Sequence, residues 1–182
     1  MNKALFLDRD GVINVDHGYV GRYADFEYID GIFDLVRHFQ DKGFMPVIVT
    51  NQSGIARGLY TEADFFTLMR RVQDDFAEHG TNDIAVYHCP HHIEGKVSQY
   101  AIECDCRKPK PGMFYLAAKQ LNIDTQASIM IGDSWRDIVA ADAAGVRESI
   151  FINNASVTQS MSSLLSTGHK VNQVSSLTEV IA

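Results

Sequence analysis

Short apolar segments alternate with segments of helical spacing along most of this chain, and this alternation restricts the fold more than any other feature. The apolar segments have the length of single strands and lie at 3–7, 45–50, 84–87, 128–131 and 149–152. The segments in which apolar residues recur at helical spacing lie at 32–40, 61–79, 111–121 and 135–144. Strands separated by helices favour a doubly wound parallel sheet with right-handed crossovers. We therefore predict an α/β fold around one parallel sheet.

Local signals mark where some of these segments begin and end. We expect Thr61 to cap one helix, Pro111 to occupy the first turn of another, and Gly43 to end the first helix. The C-terminal tail is rich in Ser, Thr and Asn. We expect it to contain a short strand near Val171 and a last helix near Leu177.

Length and composition bound the class of protein. The chain has 182 residues, 46% of them hydrophobic, which is enough for one domain over 1–182. Only one loop and one helix fit between 50 and 84, so we expect no large cap domain. A net charge of −7 without a basic run argues against a nucleic-acid partner. No stretch approaches the ~20 apolar residues that span a bilayer, and no leader is visible, so we expect a cytoplasmic protein without a membrane partner. A monomer is the default expectation, since no sequence pattern indicates an oligomer.

Two aspartates, Asp8 and Asp10, directly follow the first predicted strand, and Gly11 comes next. In an open parallel sheet, ligands bind just beyond the carboxyl ends of the strands. Carboxylates in that position require solvent, a cation or a shared proton. A divalent cation that receives a phosphate group accounts for the pair. The alternative is that both aspartates cap the following turn.

The segment 90–110 has no strand or helix pattern and is long for a connection in a compact domain. It overlaps a cluster of residues that bind soft metals. The cluster consists of Cys89, Cys104, Cys106, His88, His91 and His92. An odd number of cysteines is a poor disulfide framework, so we favour metal binding over three reduced cysteines in a loop.

The spacing in this cluster suits zinc. Cys89 and His91, like Cys104 and Cys106, are two positions apart, and in extended backbone such residues point to the same side. Together they form a Cys₃His set, which tetrahedral zinc prefers. We predict a closed structural zinc site that holds a loop of about 89–107, and the two other histidines remain alternatives to His91.

Three further segments carry polar residues suited to phosphate. Residues 50–54 follow the second strand and offer a hydroxyl, amides and backbone N–H groups to an anion. The cationic segment 107–111 can neutralise a phosphoryl group. Asp133 follows the fourth strand and is a candidate third metal ligand, and Asp137 lies four residues further on. An ordinary turn, a solvated basic loop and helix capping are the respective alternatives.

The order of these segments resembles that of the haloacid dehalogenase-like (HAD) phosphatase superfamily. An acid pair follows strand one, a hydroxyl follows strand two, a lysine precedes the next helix and an acid follows strand four. Within that superfamily the chain is similar to the D-glycero-D-manno-heptose 1,7-bisphosphate 7-phosphatases, in motifs at 8–14, 16–20, 50–58, 89–92 and 104–109. Ser134 departs from the pattern, since some members have lysine there, and the tail after 146 matches only loosely.

The resemblance implies a HAD-like Rossmannoid sheet and a Mg²⁺-dependent phosphatase. Asp8 is then the nucleophile that forms an aspartyl-phosphate, and Asp10 protonates the leaving sugar oxygen and later deprotonates water. Mg²⁺ is then bound by Asp8, the backbone carbonyl of Asp10, and Asp133. The residues expected to hold the phosphoryl oxygens are Thr50, Arg107 and Lys108.

The resemblance also implies where the substrate binds. The expected contacts are Asp16, His17, Gly18, Tyr19, Thr50, Asn51, Gln52, Ser53, Arg107, Lys108 and Ser134. The sequence does not distinguish the α from the β anomer of the bisphosphate. A phosphatase of histidinol phosphate or of another small metabolite is the first alternative. A zinc-stabilised binding module without catalysis is a remote one, because the full set of catalytic acids and the lysine is present.

Overall fold

The computed structural model describes residues 1–153 and 162–182 and contains a single six-stranded sheet. Its strands are β1 (Lys3–Leu7), β2 (Phe44–Asn51), β3 (Ala85–Cys89), β4 (Ile129–Gly132), β5 (Glu148–Ile152) and β6 (Lys170–Val174). All neighbours pair in parallel, in the order β3-β2-β1-β4-β5-β6. The predicted doubly wound α/β fold is confirmed. The order reverses between β1 and β4, and such a switch point is where open α/β sheets bind ligands.

Helices cover both faces of the sheet. In the described residues they are α1 (Ile32–Asp41), α2 (Ser53–Ala56), α3 (Glu62–Glu78), α4 (Gly112–Leu121), α5 (Trp135–Ala143) and α6 (Leu177–Val180). One apolar core joins the sheet to α1, α3 and α6, and a second joins it to α4 and α5. Alternate side chains of β1 serve the two cores: Leu5 and Leu7 pack in the first, and Ala4 and Phe6 in the second.

Several helix boundaries follow the local signals. Thr61 caps α3 in a reciprocal capping box with Asp64. Gly43, at a φ of 81°, follows the end of α1, where a left-handed residue terminates the helix. Pro111 directly precedes α4 rather than lying in its first turn. The tail forms β6 and α6 near the predicted positions.

Two elements differ from the sequence prediction. β3 continues to Cys89, beyond the predicted 84–87, because its polar last residues still pair with Thr50 and Asn51 of β2. The helix α2 was not predicted, since four residues are too few to show helical spacing. Only α2 and α3 separate β2 from β3, so no large cap is inserted there. Within the described parts of the chain, no helix is long and apolar enough to cross a bilayer. The cytoplasmic location and the monomeric state stay predictions.

Candidate active site

A cavity of about 500 Å³ lies at the carboxyl ends of β1, β2 and β4. The predicted site residues that line it are Asp8, Asp10, Asp16, Gly18, Tyr19, Asn51, Gln52, Ser53, Arg107, Lys108, Asp133 and Ser134. His17 is not part of this lining, and its ring lies 2.8 Å from the Glu27 carboxylate at the exposed surface. Thr50 is buried at the end of β2, where its hydroxyl accepts a hydrogen bond of 2.9 Å from the Gln52 amide.

A buried ion cluster lies at the base of the cavity, around Lys108. Its Nζ is 2.9 Å from Asp8 Oδ1 and 2.7 Å from Asp137 Oδ1, and it donates to the Val49 carbonyl at 2.7 Å. Burial, and then the neighbouring Asp137 carboxylate, raise the pKa of Asp8 to about 8. Two carboxylates face one ammonium in a site shielded from water. The cluster therefore favours a further cation.

Asp133 adds a third carboxylate. Ligand oxygens of Asp8, Asp133 and Asp137 all lie within 4.8 Å of one another. A Cβ on Gly11 would overlap the Asp133 side chain, so the turn after β1 needs glycine there. Burial, followed by Asp137, raises the pKa of Asp133 to about 6. Hard oxygen ligands gathered in this way fit Mg²⁺. Both oxygens of Asp137 already have donors within the protein, so Asp8 and Asp133 are the freer ligands.

The carboxylate of Asp10 lies outside that group and is held by three donors. Its Oδ1 accepts from the Arg9 guanidinium at 2.5 Å and from the Asn14 amide at 3.1 Å. Its Oδ2 accepts from the Gln52 amide at 3.0 Å. A carboxylate fixed in this way is suited to proton transfer. The predicted contribution of this residue to the metal through its backbone carbonyl stays a prediction.

Four soft ligands come together beside the cavity: Cys89, His91, Cys104 and Cys106. The Cys89 Sγ lies 3.5 Å from the Cys104 Sγ and 3.7 Å from the His91 Nδ1, which is itself 3.4 Å from the Cys106 Sγ. All four ligand atoms lie within 4.8 Å of one another. This Cys₃His donor set fits tetrahedral Zn²⁺ in a closed site.

The two flanking histidines have other partners. The His88 Nε2 lies 2.7 Å from the Glu62 carboxylate, and the His92 Nε2 lies 3.4 Å from the Arg57 guanidinium. Of the three histidines that the sequence left open, the described structure brings His91 alone to the cysteines.

The segment 90–110, here called the Cys/His loop, carries two cations into the cavity. Arg107 directly follows the ligand Cys106 and donates to the His91 carbonyl at 3.5 Å. Asn51, at the end of β2, binds both backbone groups of Lys108. The Asn51 Nδ2 donates to the carbonyl at 3.1 Å, and its Oδ1 accepts from the amide at 3.0 Å. Asn51, predicted as a substrate contact, therefore also connects the sheet to the Cys/His loop.

The cavity also contains Gly54, which belongs to the predicted anion-binding segment 50–54. Four further lining residues were not predicted as part of this site, namely Arg57, Tyr60, His92 and Arg136. Arg57 and Arg136 add positive charge near Arg107, whose pKa is lowered by burial and further by these two neighbours. The motif 50–58 contains Arg57 and gave a signal for it. Arg136 and Tyr60 follow no pattern that would have distinguished them from surface residues.

Asp137, for which the sequence left helix capping as an alternative, caps α5 and also pairs with the lysine at the base of the cavity. Its Oδ2 accepts a hydrogen bond of 3.0 Å from the Ser134 amide within the capping box of α5. Its Oδ1 pairs with Lys108. The capping geometry thus aims the second oxygen at the lysine that contacts Asp8.

Comparisons with known proteins agree with this geometry. A family model described as HAD-hydrolase-like matches residues 105–163. A D-glycero-β-D-manno-heptose-1,7-bisphosphate 7-phosphatase from Vibrio cholerae is 52% identical over 149 residues, which cover 82% of this chain and 80% of that protein. The protein of the same name from Escherichia coli O6:H1 is 50% identical over 149 residues, 82% of this chain and 78% of the relative. A crystal structure of D,D-heptose 1,7-bisphosphate phosphatase from B. bronchiseptica, complexed with magnesium and phosphate, is 28% identical, with a TM-score of 0.79 over 98% of this chain and 95% of its own.

Proposed function

This chain belongs to the D-glycero-β-D-manno-heptose-1,7-bisphosphate 7-phosphatase family of HAD-like hydrolases, and we propose that it hydrolyses the 7-phosphate of that bisphosphate through an aspartyl-phosphate. It is a phosphoric monoester hydrolase. The observation that carries the proposed mechanism is the position of Asp8 at the end of β1, 2.9 Å from the buried ammonium of Lys108.

The carboxylates of the cavity fit the magnesium that accompanies the B. bronchiseptica relative. Asp8 and Asp133, with the backbone carbonyl of Asp10, are the residues proposed to hold it. When bound, Mg²⁺ neutralises charge on the phosphate and on the nearby carboxylates. Burial, and then the Asp137 carboxylate, raise the pKa of Asp8 to about 8. A bound cation would favour the ionised carboxylate that a nucleophile needs.

In the first step, a carboxylate oxygen of Asp8 attacks phosphorus and the ester bond to the sugar oxygen breaks. The carboxyl group of Asp10 donates a proton to that oxygen, so that the sugar leaves as an alcohol. Lys108 and Arg107 hold the phosphoryl oxygens while charge shifts toward the leaving group. Thr50 was predicted to assist them, and its buried hydroxyl lies next to the Gln52 amide.

In the second step, water attacks the phosphorus of the aspartyl-phosphate. The Asp10 carboxylate, ionised by the first step, takes a proton from that water. The bond between phosphorus and the Asp8 oxygen breaks, which releases inorganic phosphate and restores both side chains. The three donors around Asp10 keep its carboxylate in one place through both transfers.

We propose that the Cys₃His group holds Zn²⁺ as a structural ion. The ligand Cys106 precedes Arg107 in the chain, so a fixed zinc site fixes the segment that carries the phosphoryl-binding cations. No chemical step involves this site.

The proposed function is tested by phosphate release in the presence of Mg²⁺. The substrates are the α and β anomers of the heptose bisphosphate and histidinol phosphate, with Asp8→Asn as the inactive control. We expect the highest kcat/KM with the β anomer. A preference for histidinol phosphate would contradict the proposed substrate, and phosphate release by the Asp8→Asn variant would contradict the proposed mechanism.

A further inference from the structure

Tyr60 lines the cavity and is joined to Asp10 through one intervening side chain. The Tyr60 hydroxyl donates to the Gln52 Oε1 at 2.5 Å. The Gln52 Nε2 in turn donates to the Asp10 Oδ2 at 3.0 Å and to the Thr50 Oγ1 at 2.9 Å. Gln52 is buried. A continuous hydrogen-bonded chain therefore runs from the tyrosine hydroxyl to the acid–base carboxylate.

The ionised form of Asp10, which takes the proton from water in the second step, sets the direction of this chain. A side-chain amide has one accepting end and one donating end, whereas an ionised carboxylate only accepts. If the Gln52 amide were rotated by half a turn, its oxygen would face that carboxylate with no hydrogen atom between them, which is unfavourable. The Tyr60 hydroxyl donates to the amide oxygen and so holds the amide in the orientation in which the –NH₂ group faces Asp10.

Packing fixes the ring that carries this hydroxyl. A Cβ on Gly21 or on Gly54 would overlap the Tyr60 ring, so the ring fills the space that these two glycines leave open. The segments that hold it follow β1 and β2, which also carry the catalytic acids and the predicted phosphate-binding turn. Burial raises the pKa of Tyr60 to about 12, so the hydroxyl keeps its proton and remains a donor at neutral pH.

We propose that Tyr60 is a positioning residue for proton transfer. Its hydroxyl fixes the Gln52 amide, and the amide fixes the Oδ2 end of the Asp10 carboxylate, while Arg9 and Asn14 hold the Oδ1 end. The role rests on the acid–base function proposed for Asp10. Tyr60 acts through Gln52 and does not contact the reacting atoms in this arrangement.

The first test compares Tyr60→Phe with a matched control, Tyr87→Phe. Both substitutions remove a tyrosine hydroxyl that donates to a glutamine side-chain oxygen, but the Tyr87 hydroxyl binds Gln120 at 2.8 Å on the exposed surface. We expect kcat of Tyr60→Phe to fall roughly three- to tenfold, the range set by one hydrogen bond, with KM unchanged. Tyr87→Phe should keep the wild-type kcat. An unchanged kcat for Tyr60→Phe, or an effect confined to KM, would overturn the role.

The second test is a double-mutant cycle with Gln52→Leu. If the hydroxyl acts through the amide, Tyr60→Phe causes no further loss of kcat in the Gln52→Leu background. The same loss in both backgrounds would show a separate structural effect and overturn the proposal. Thermal melting of each variant shows whether it is folded at the assay temperature.

Failure of the proposed function and failure of the Tyr60 role give different results. If the wild-type protein does not hydrolyse any alkyl phosphate, the proposed function is contradicted. If the wild-type protein is active and the Tyr60→Phe variant is fully active as well, only the Tyr60 role is contradicted.

Discussion

The two sides of the active site are held in place in different ways. Asp8 and Asp10 follow β1, and Asp133 follows β4; these two strands pair in the centre of the sheet, and the Asp8 amide still donates to the Ile131 carbonyl at 3.1 Å. The Cys/His loop, 90–110, has no strand or helix. Backbone pairing between strands therefore positions the carboxylates. Side-chain contacts, such as those of Asn51 with Lys108, and, we propose, a bound metal position the cations Arg107 and Lys108.

The Cys/His loop is also held by individual contacts with the rest of the protein. The Lys96 and Val97 amides donate to the Ala56 carbonyl at 2.7 and 2.9 Å, and the Tyr100 hydroxyl donates to the Glu62 carboxylate at 3.0 Å. These contacts are not part of a strand or a helix. Secondary structure therefore places the acids, whereas individual contacts and, we propose, a metal place the cations.

Substitution of Asp8, the proposed nucleophile at the end of β1, tests the part of the active site that the sheet positions. It should have the largest effect on kcat. Asp8→Asn should lower kcat by roughly 10⁴-fold or more, as expected for loss of a nucleophile, because an amide oxygen does not form the aspartyl-phosphate. Since it also removes one of three crowded carboxylates, the midpoint of thermal unfolding should not fall. Steady-state kinetics and thermal melting check both outcomes, and a lowered midpoint would show that the acid is needed for the fold.

Substitution of Lys108 tests the contact between the two parts of the active site, because this loop residue pairs with Asp8 and Asp137. Lys108→Met leaves Asp8 and Asp137 buried without their cation, so the free energy of unfolding in magnesium-free buffer should fall by about 3 kcal/mol. We expect kcat to fall about 10³-fold through loss of a charge at the phosphoryl group. Lys110→Met is the control, because that lysine is more exposed and pairs with Glu103 at 3.3 Å. Equal denaturation midpoints for the two variants would contradict the buried cluster.

Removing one cysteine of the Cys₃His group tests the Cys/His loop and its proposed zinc site. Cys106→Ser should lower kcat/KM by roughly 10- to 100-fold, because Arg107 and Lys108 lose their fixed positions. The circular dichroism of the sheet and helices should be retained. Metal analysis should find about one zinc per wild-type chain and less in the variant. A zinc-free wild-type protein with full activity would contradict this role of the loop.

We expect the smallest effect on activity when the hydrogen bonds between β2 and the Cys/His loop are removed. Asn51→Ala removes both hydrogen bonds to the Lys108 backbone. We expect kcat/KM to fall about threefold to tenfold, in line with the loss of one or two hydrogen bonds. Asn172→Ala is the control, because it removes an exposed hydrogen bond of 3.3 Å from Asn172 on β6 to Glu148 on β5. A similar loss in both variants would indicate a general effect on stability.

The sequence predicted the residues that strands position better than those that contacts between distant segments position. The strands and the acids at their carboxyl ends follow from apolar periodicity and from the expected parallel sheet, so the sequence predicted where Asp8 and Asp133 lie. The strand order, and with it the switch point between β1 and β4, came from the structure. The choice of His91 was narrowed by alternation of side chains in extended backbone. These features depend on local pattern, which a sequence carries directly.

The rest depends on contacts between distant segments. Nothing near Tyr60 in the sequence indicates that its ring fills a space beside Gly21 and Gly54. The dual role of Asp137 required the position of Lys108, and the placement of His17 at the surface required the path of the chain after Asp16. Packing between distant segments fixes these positions, and the periodicity of apolar residues in the sequence does not predict such packing.

The central claim is that Asp8 becomes covalently phosphorylated, and acid-quench trapping tests it most directly. Enzyme mixed with ³²P-labelled heptose bisphosphate and Mg²⁺ is quenched within one turnover, digested and analysed by mass spectrometry. The account predicts label on the peptide that contains Asp8, absent from Asp8→Asn and lost on a longer chase with unlabelled substrate. Turnover without labelled protein, or label at another residue, would contradict it.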